Sequence, residues 1–358
     1  MSYLNIPTSD AHIHVFWNML LEQKEKLLGE LMEKFNYDTV TILAIPYNST
    51  RLTKCRDFTE NLVAFYLKCK MPSRVYAFAG LNHHYDEEKN TPEFYVEQAK
   101  FYMAAGFDGI KMIEGRPRQK HITGKFSDPK YDLLYKYCEE QQIPMLIHSN
   151  APDVCWNNGG NPARTLDENG RITSWQEYHD EIIGILEKYP KLRLTIAHFE
   201  FASQHEKEAA EFFERFENVY LDVCPNQFMF MDFGEKPEVW KPFFEKYQDR
   251  LIYGTDIGSN TTDLDGTEAT ALVHMVKGFF EEDEPYSELG YSFKPIKTDE
   301  KILRKIYKEN MLRFYNGKAP AAPVKEVMKE ELDLVLGKYF MLLDMRDVKN
   351  LDLIKTVF

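Results

Sequence analysis

Short apolar runs alternate with amphipathic segments along most of the chain. Eight of these runs have the composition of buried strands and lie at 9–15, 39–45, 75–81, 107–113, 144–149, 193–199, 219–224 and 251–256. Near-continuous apolar runs such as TILAI and LTIA are typical of parallel strands whose two faces are both covered. The pattern therefore predicts parallel strands buried under helices.

Apolar residues between the runs recur with the period of a helix. In the first segment Leu20, Leu27, Leu31 and Phe35 fall on one stripe, as in an amphipathic helix. Similar periods cover 92–105, 129–142, 175–189, 203–216, 237–247, 268–280 and 299–314. Successive strand ends follow at steps of roughly 30 residues, which is the length that one strand–helix unit needs.

Eight strand–helix units predict an α/β fold, a (β/α)8 barrel of the TIM type. The alternative is a doubly wound open sheet, which would ordinarily carry a glycine-rich phosphate-binding turn after an early strand. Because the sequence contains no GxGxxG motif, the barrel is favoured.

We assign the barrel to residues 1–317. The segment KAPAAP resembles a linker and opens a tail, 318–358. Helical spacing in the tail predicts helices that pack on the barrel or at a subunit interface, as in a homodimer. Two irregular stretches, 114–128 and 150–174, are expected to form long loops at the end of the barrel where ligands bind.

Composition and charge narrow the function classes. Of 358 residues, 44% are hydrophobic and 28% are charged, which is ordinary globular composition and excludes a fibrous or disordered chain. The net charge of −13 argues against nucleic acid as a partner, and no apolar stretch approaches the ~18 residues of a membrane span. Five scattered cysteines without a CxxC motif and no signal-peptide pattern predict a cytoplasmic protein.

Two histidines near the start of the chain are the first candidate site. His12 and His14 stand in the segment DAHIH, inside the first predicted strand. Side chains two apart in a strand share a face, and buried imidazoles pointing into a barrel favour a divalent metal, most often zinc. The alternative is a pair of surface histidines flanking an apolar residue.

Three further polar residues close predicted strands. His148 ends the run MLIHSN, His198 ends LTIAHFE and Asp256 ends LIYGTDIG. A single histidine after an apolar run is ordinarily a hydrogen-bonded core residue. Because the carboxyl ends of all strands meet at one rim of a barrel, the set together predicts one metal centre.

At this point the sequence resembles the amidohydrolase superfamily, in particular the amidohydrolase 2 branch that contains aminocarboxymuconate-semialdehyde decarboxylase-like proteins. The matching segments are DAHIH, GFDGIKM, PMLIHS, YPKLRLTIAHF, ENVYLDV, RLIYGTD and IYKENMLRFY, and they span about 6–317. The tail after Lys318 is not covered by the resemblance.

The resemblance implies roles for these residues. His12, His14, His148 and Asp256 would bind one divalent metal, with zinc favoured. Asp256 would also carry protons. His198 would lie beside the metal and polarise the substrate, as in single-metal members, or would bind a second metal, as in members with two. Lys111, in the segment GIKM, has three alternatives: a carboxylated bridge between two metals, the lysine that single-metal members also carry, or a charge-paired structural lysine.

The expected activity is metal-dependent hydrolysis of a small carboxylic ester, lactone or amide by an activated water. Non-oxidative decarboxylation of an aromatic or muconate-like acid uses the same residues and is the alternative. A catalytically silent barrel that binds a ligand is the second alternative.

Loop residues are candidates for binding a small, anionic substrate. Arg116 and Arg164 would pair with a carboxylate, and Trp156 would form an apolar rim; a solvated basic loop, a surface ion pair and ordinary core packing are the respective alternatives. Cys155 and Cys224 fall near the barrel mouth, but a thiol mechanism is disfavoured because the nearby histidines are better used on metal. Asp222 shares the strand face of Cys224 and is expected to orient a ligand histidine.

Overall fold

The eight predicted strands form one sheet that curves into a nearly closed barrel. The computed structural model describes residues 3–15, 19–45, 59–84, 86–117, 123–156, 171, 173–258, 266–343 and 345–358. The strands are all parallel and neighbour one another in sequence order. They are β1 (Thr8–His14), β2 (Tyr37–Leu43), β3 (Val75–Gly80), β4 (Gly109–Met112), β5 (Met145–Ile147), β6 (Leu194–Ile196), β7 (Val219–Asp222) and β8 (Leu251–Ile252).

The first and last strands meet and close the barrel. The amide of Ala11 donates to Tyr253 O at 3.0 Å, and the amide of His14 donates to Ile257 O at 2.7 Å. The predicted (β/α)8 barrel with helices at the C-terminus is confirmed.

Helices follow the strands and cover the outside of the barrel. Along the chain they are α1 (Leu21–Lys34), α2 (Glu60–Lys70), α3 (Pro92–Ala104), α4 (Asp132–Gln141), α5 (Trp175–Lys188), α6 (Glu206–Arg215), α7 (Gln227–Glu235), α8 (Pro237–Lys246), α9 (Thr267–Glu281), α10 (Glu300–Arg304), α11 (Asn310–Phe314), α12 (Lys325–Leu334) and α13 (Met345–Ile354). A π-helical segment, Lys305–Glu309, joins α10 to α11.

Local sequence sets several helix starts. At α3 the Thr91 hydroxyl accepts from the Phe94 amide at 3.3 Å, and Pro92 occupies the first turn. At α5 the Ser174 hydroxyl accepts from the Glu177 amide at 3.3 Å. Each hydroxyl satisfies an amide that has no partner inside its helix, and the proline has no such amide to satisfy.

The helical period does not predict α2, which lies between β2 and β3. Its residues from Glu60 to Lys68 are all buried, so the helix has no polar face to mark a period. The antiparallel hairpin β9 (Tyr286–Glu288) with β10 (Tyr291–Phe293) is also absent from the predictions, because each strand has only three residues.

The hydrophobic interior is divided between two clusters, and the smaller one fills the barrel. Tyr76, Phe78, Leu146 and Tyr220 from the strands pack there with Tyr315, which follows α11. The rings of Tyr76 and Tyr315 stack at 3.9 Å, and the Thr41 hydroxyl is 2.7 Å from the Tyr315 hydroxyl. These apolar side chains occupy one part of the barrel interior. The polar side chains of the candidate site occupy the other part.

The tail crosses back over the barrel helices. The amide of Val324 donates to Ala105 O at 2.9 Å, and α12 packs on α2 and α3. Further along, the ring of Phe358 stacks on Phe65 at 5.7 Å. Among the described helices, none has both the length and the apolar character that crossing a bilayer requires.

Glu331 on α12 should make stability depend on pH. It is buried, its Oε1 lies 3.4 Å from the Tyr102 hydroxyl, and burial raises its pKa to about 7. A carboxyl group whose pKa is higher in the folded than in the unfolded state stabilises the folded state at pH values below its unfolded pKa. This stabilisation is lost as the pH rises through about 7.

Glu331→Gln should therefore be relatively more stable at pH 8 than at pH 5, by about 2–3 kcal/mol against wild type, since one pKa unit is about 1.4 kcal/mol. Urea unfolding at both pH values measures this. Glu330→Gln, at an exposed position on the same helix, is the control and should follow wild type. Parallel pH dependence of wild type and Glu331→Gln would contradict the prediction.

Candidate metal centre

The two histidines of β1 point into the barrel, and each has one ring nitrogen already engaged. Nδ1 of His12 donates to Asp222 Oδ2 at 2.8 Å, and Nδ1 of His14 donates to the backbone oxygen of Leu43 at 3.1 Å. Both histidines are buried. These contacts fix the rings and leave each Nε2 directed at the same point.

The two Nε2 atoms converge on one carboxylate. They are 3.3 Å apart, and Asp256 Oδ1 lies 3.6 Å from that of His12 and 3.3 Å from that of His14. Burial lowers the pKa of His12, which favours the neutral ring. Because each Nδ1 is already engaged, the two Nε2 atoms and Asp256 Oδ1 face one another as electron-pair donors, and this arrangement favours a positive charge between them. The donor set therefore fits a divalent metal.

Asp256 reaches the cluster through a turn after β8. Its backbone is left-handed, with φ of 57°, and its amide donates to His12 O at 2.8 Å. Nearby histidines lower the pKa of Asp256 against the opposing effect of burial, so the carboxylate is ionised. Two residues earlier stands Gly254, where a Cβ would lie 2.8 Å from the Cβ of His12, so only glycine permits this approach of β8 to β1.

Asp222 holds three parts of the cluster together. Besides accepting from His12, it accepts through Oδ1 from the amide of His198 at 2.6 Å and from the amide of Cys224 at 3.2 Å. Burial raises its pKa to about 6, so it is still ionised at neutral pH. The contact predicted between Asp222 and a candidate ligand histidine is present.

His198 stands in a strained turn instead of a strand. The predicted strand reached residue 199, but regular pairing ends at Ile196, and the 3-10 turn Ala197–Phe201 follows. His198, Phe199, Glu200 and Phe201 all have φ of 53° or 54°. Left-handed backbone is unfavourable for residues other than glycine, so the surrounding structure must hold this turn.

Buried polar contacts from α5 hold the turn. Nδ1 of His179 lies 2.9 Å from Glu200 Oε2, and the indole N–H of Trp175 donates to Glu200 O at 3.1 Å. The ring of Phe199 packs edge-on against Phe233 at 5.2 Å. As a result the His198 ring lies 5.0 Å from that of His12. Burial lowers the pKa of His198 to about 4, so its imidazole is neutral.

Cys224 lies inside the same cluster. One ligand atom from each of His12, His198, Cys224 and Asp256 lies within 4.8 Å of the others, so among the described residues this grouping could hold a metal ion. The thiol is buried, and burial together with nearby carboxylates raises its pKa well above the usual value.

His148 and Arg116 form a neighbouring pair. The guanidinium Nη1 of Arg116 lies 3.5 Å from Nδ1 of His148, and the His148 ring is 4.8 Å from that of His198. His148 follows β5 directly and faces the cluster across His198, with a cation on its other side. The structure therefore brings His148 to the same rim without placing it in the tight grouping.

Lys111 of β4 is fully buried below this rim. Its Nζ has no hydrogen-bond partner among the described residues. Burial lowers its pKa to about 8, although the charges of Asp222 and Asp256 act in the opposite direction. An orphaned buried amine is unusual in a native fold and leaves the three alternatives for this lysine open.

Two predicted substrate-binding residues, Trp156 and Arg164, lie in the long stretch of chain after β5. Trp156 donates its indole N–H to Ala151 O at 3.1 Å, and its ring packs on Tyr178 at 5.5 Å. Arg164 lies outside the described residues, as do the basic loop residues 118–122.

A cavity of about 540 Å³ is linked to the cluster by one residue, Phe201. Phe201 lines the cavity, and its ring stacks on that of His198 at 5.1 Å. The lining residues are Pro152, Asp153, Val154, Phe201, Ser203, Gln204, His205, Phe228, Met229 and Asp232. Phe228 and Met229 contribute apolar side chains to this lining.

The fold and the convergent donor atoms define a (β/α)8-barrel protein with a candidate metal centre at the carboxyl ends of its strands. A model of the amidohydrolase family matches residues 10–317, so the chain belongs to that family. No curated protein matches the chain.

Solved structures share the fold at low identity. 2,6-Dihydroxybenzoate decarboxylase from Rhizobium is 14% identical, with a TM-score of 0.54 over 87% of this chain and 99% of its own. An uncharacterized TIM-barrel protein from Bordetella bronchiseptica is 15% identical, with a TM-score of 0.55 over 87% and 100%. A putative amidohydrolase from Staphylococcus aureus is 15% identical, with a TM-score of 0.53 over 87% and 100%.

Proposed function

We propose that this protein is a metal-dependent hydrolase of a small carboxylic ester, lactone or amide. The observation that carries the proposal is the convergence of three acceptor atoms, Nε2 of His12, Nε2 of His14 and Oδ1 of Asp256. These residues would hold one divalent metal, with zinc favoured by the imidazole ligands. When bound, the metal supplies Lewis acidity and lowers the pKa of a water molecule.

Asp256 is the residue that moves protons in this proposal. Its ionised carboxylate accepts a proton from the attacking water and returns it to the leaving group, as a general base and then a general acid. The turn after β8 holds Oδ1 at the centre of the cluster, which gives it the reach that proton transfer requires.

Two neighbours are placed to act on the substrate. His198 is a neutral imidazole at the rim, and a donor in that position stabilises negative charge that develops on a carbonyl oxygen. The guanidinium of Arg116 lies next to His148 at the same rim. It would pair with a carboxylate of an anionic substrate. The cavity behind Phe201 would receive the apolar part of the molecule.

Decarboxylation is the competing function, and one observation favours it. The guanidinium of Arg116 beside His148 suits a substrate carboxylate at the centre, and a carboxylate is the group that a decarboxylase removes. Asp256 would then deliver its proton to a carbon atom. A similar fold occurs in 2,6-dihydroxybenzoate decarboxylase, which makes that acid the natural probe.

The orphaned amine of Lys111 supports a variant with two metals. The neutral form of this amine would react with carbon dioxide to give a carbamate, with release of one proton to solvent, and the carbamate would offer oxygen ligands to a second ion. Metal content near two per chain, with added mass equal to one carbon dioxide on Lys111, would favour that variant over a single ion.

Metal analysis followed by assays tests the proposal. We expect bound zinc and zinc-dependent hydrolysis of 4-nitrophenyl acetate, γ-butyrolactone or acetanilide that is lost on chelation and restored by zinc. Release of carbon dioxide from 2,6-dihydroxybenzoate without hydrolysis would favour the decarboxylase. A protein that binds no divalent metal and turns over none of these probes would instead be a silent binding barrel.

A further inference from the structure

Cys224 stands two residues after Asp222 on the inner face of the barrel. The Val223 amide donates to Ile252 O at 2.8 Å, so strand-like pairing continues past the end of β7. Side chains two apart then share a face, and Asp222 and Cys224 both point towards the metal cluster. Cys224 is fully buried.

Contacts to its amide and Cβ set the position of Cys224 on the barrel wall. Asp222 accepts from the Cys224 amide at 3.2 Å, and a Cβ on Gly254 would lie 3.5 Å from the Cys224 Cβ. The same carboxylate and the same glycine set the position of His12. The backbone and Cβ of Cys224 are therefore held by the elements that hold the histidine.

The sulfur lies among candidate ligand atoms. A donor atom from each of His12, His198 and Asp256 is within 4.8 Å of Cys224 Sγ. His148, one of the four ligands that the sequence predicted, lies outside this grouping, and its Nδ1 is 3.5 Å from Arg116 Nη1. The tight grouping thus contains Cys224, which the sequence did not predict as a ligand.

We propose that Cys224 is a thiolate ligand of the metal, in addition to His12, His14 and Asp256. The proposal rests on the proposed metal-dependent function and deepens it. Binding breaks the S–H bond, forms a metal–sulfur bond and releases the proton to solvent. The thiolate and the Asp256 carboxylate together balance the two positive charges of the ion, which removes the cost of a buried net charge.

A thiolate changes which metal the site selects. Sulfur is a soft donor that favours zinc over manganese or magnesium. The site is therefore expected to prefer zinc and cobalt to manganese, and Cys224→Ser should lower that preference by exchanging sulfur for a hard oxygen.

Cobalt substitution provides a readout that is independent of activity. Chelator-treated full-length protein is loaded with Co²⁺, and its near-ultraviolet and visible absorption is recorded. We expect a thiolate-to-cobalt charge-transfer band in wild type, its complete loss in Cys224→Ser, and its retention in Cys138→Ser, Cys155→Ser and Cys55→Ser. Cys138 is buried in α4, Cys155 lies near the barrel mouth, and Cys55 lies outside the described residues.

The outcomes separate this inference from the proposed function. Visible cobalt bands without the charge-transfer band, or a charge-transfer band that persists in Cys224→Ser, would overturn the thiolate and leave the metal-dependent function standing. Failure of the wild type to bind Co²⁺ or Zn²⁺ in equilibrium dialysis would overturn both.

X-ray absorption of the zinc-loaded wild type covers the case in which Cys224→Ser does not fold. A sulfur neighbour at about 2.3 Å from zinc supports the proposal, and a shell of nitrogen and oxygen alone contradicts it.

Discussion

Asp256→Asn should lower kcat about 10²- to 10⁴-fold on any probe that the protein hydrolyses, because that is the usual contribution of a positioned general base. Asparagine has nearly the same shape and keeps an oxygen that can bind metal, but it cannot accept the proton. Zinc content at saturating zinc should therefore stay near that of wild type. Steady-state kinetics and elemental analysis on the same samples measure the two effects.

The matched control is Asp249→Asn, at the opposite end of β8. Asp249 is half-exposed and pairs with Lys305 at 3.0 Å and Arg313 at 3.2 Å, so its loss should leave kcat unchanged. Near wild-type turnover in Asp256→Asn with bound zinc would remove the proton-transfer role. Loss of zinc and turnover together would make Asp256 a ligand alone.

Asp222→Asn should weaken zinc binding about 10- to 100-fold, as is typical when the partner of a ligand histidine is removed. One amide oxygen cannot replace two carboxylate oxygens that accept from His12, His198 and Cys224. The amide NH₂ then faces a buried donor, at a cost of about 1–3 kcal/mol in stability. Competition with a chromophoric chelator and urea unfolding give the two quantities.

Asp232→Asn is the control for this substitution. Asp232 lies on α7 in the cavity lining and accepts from the Ser203 hydroxyl at 2.7 Å, away from the histidines. The zinc affinity of the Asp232→Asn protein should equal that of wild type. Equal affinity in Asp222→Asn and wild type would show that His12 keeps its orientation without the carboxylate.

Much of the barrel was predictable from the local pattern of apolar and polar residues. Buried parallel strands carry apolar residues on both faces, so runs such as 39–45 and 193–199 stand out from the amphipathic helices between them. The same pattern failed for α2, since its residues are buried on all sides and no period separates such a helix from a strand.

Site residues were predictable only as a set at one rim. Their positions after the strands are given by the chain, and the topology carries them to the same end of the barrel. The backbone conformation of the residues that follow the last paired residue of each strand decides which atoms come together. The left-handed turn at His198 and the left-handed residue Asp256 have no signature in the sequence, because neither contains glycine at the strained position.

The amino-acid sequence by itself determined the eight strand–helix units and which polar side chains stand at the ends of the strands, because hydrophobic period and chain order are properties of single segments. Only the tertiary structure decided that Asp222 joins three segments, that Cys224 enters the ligand grouping and that His148 pairs with Arg116. Those contacts join residues far apart in the chain, and their geometry depends on how the barrel closes and on the φ angles of its turns.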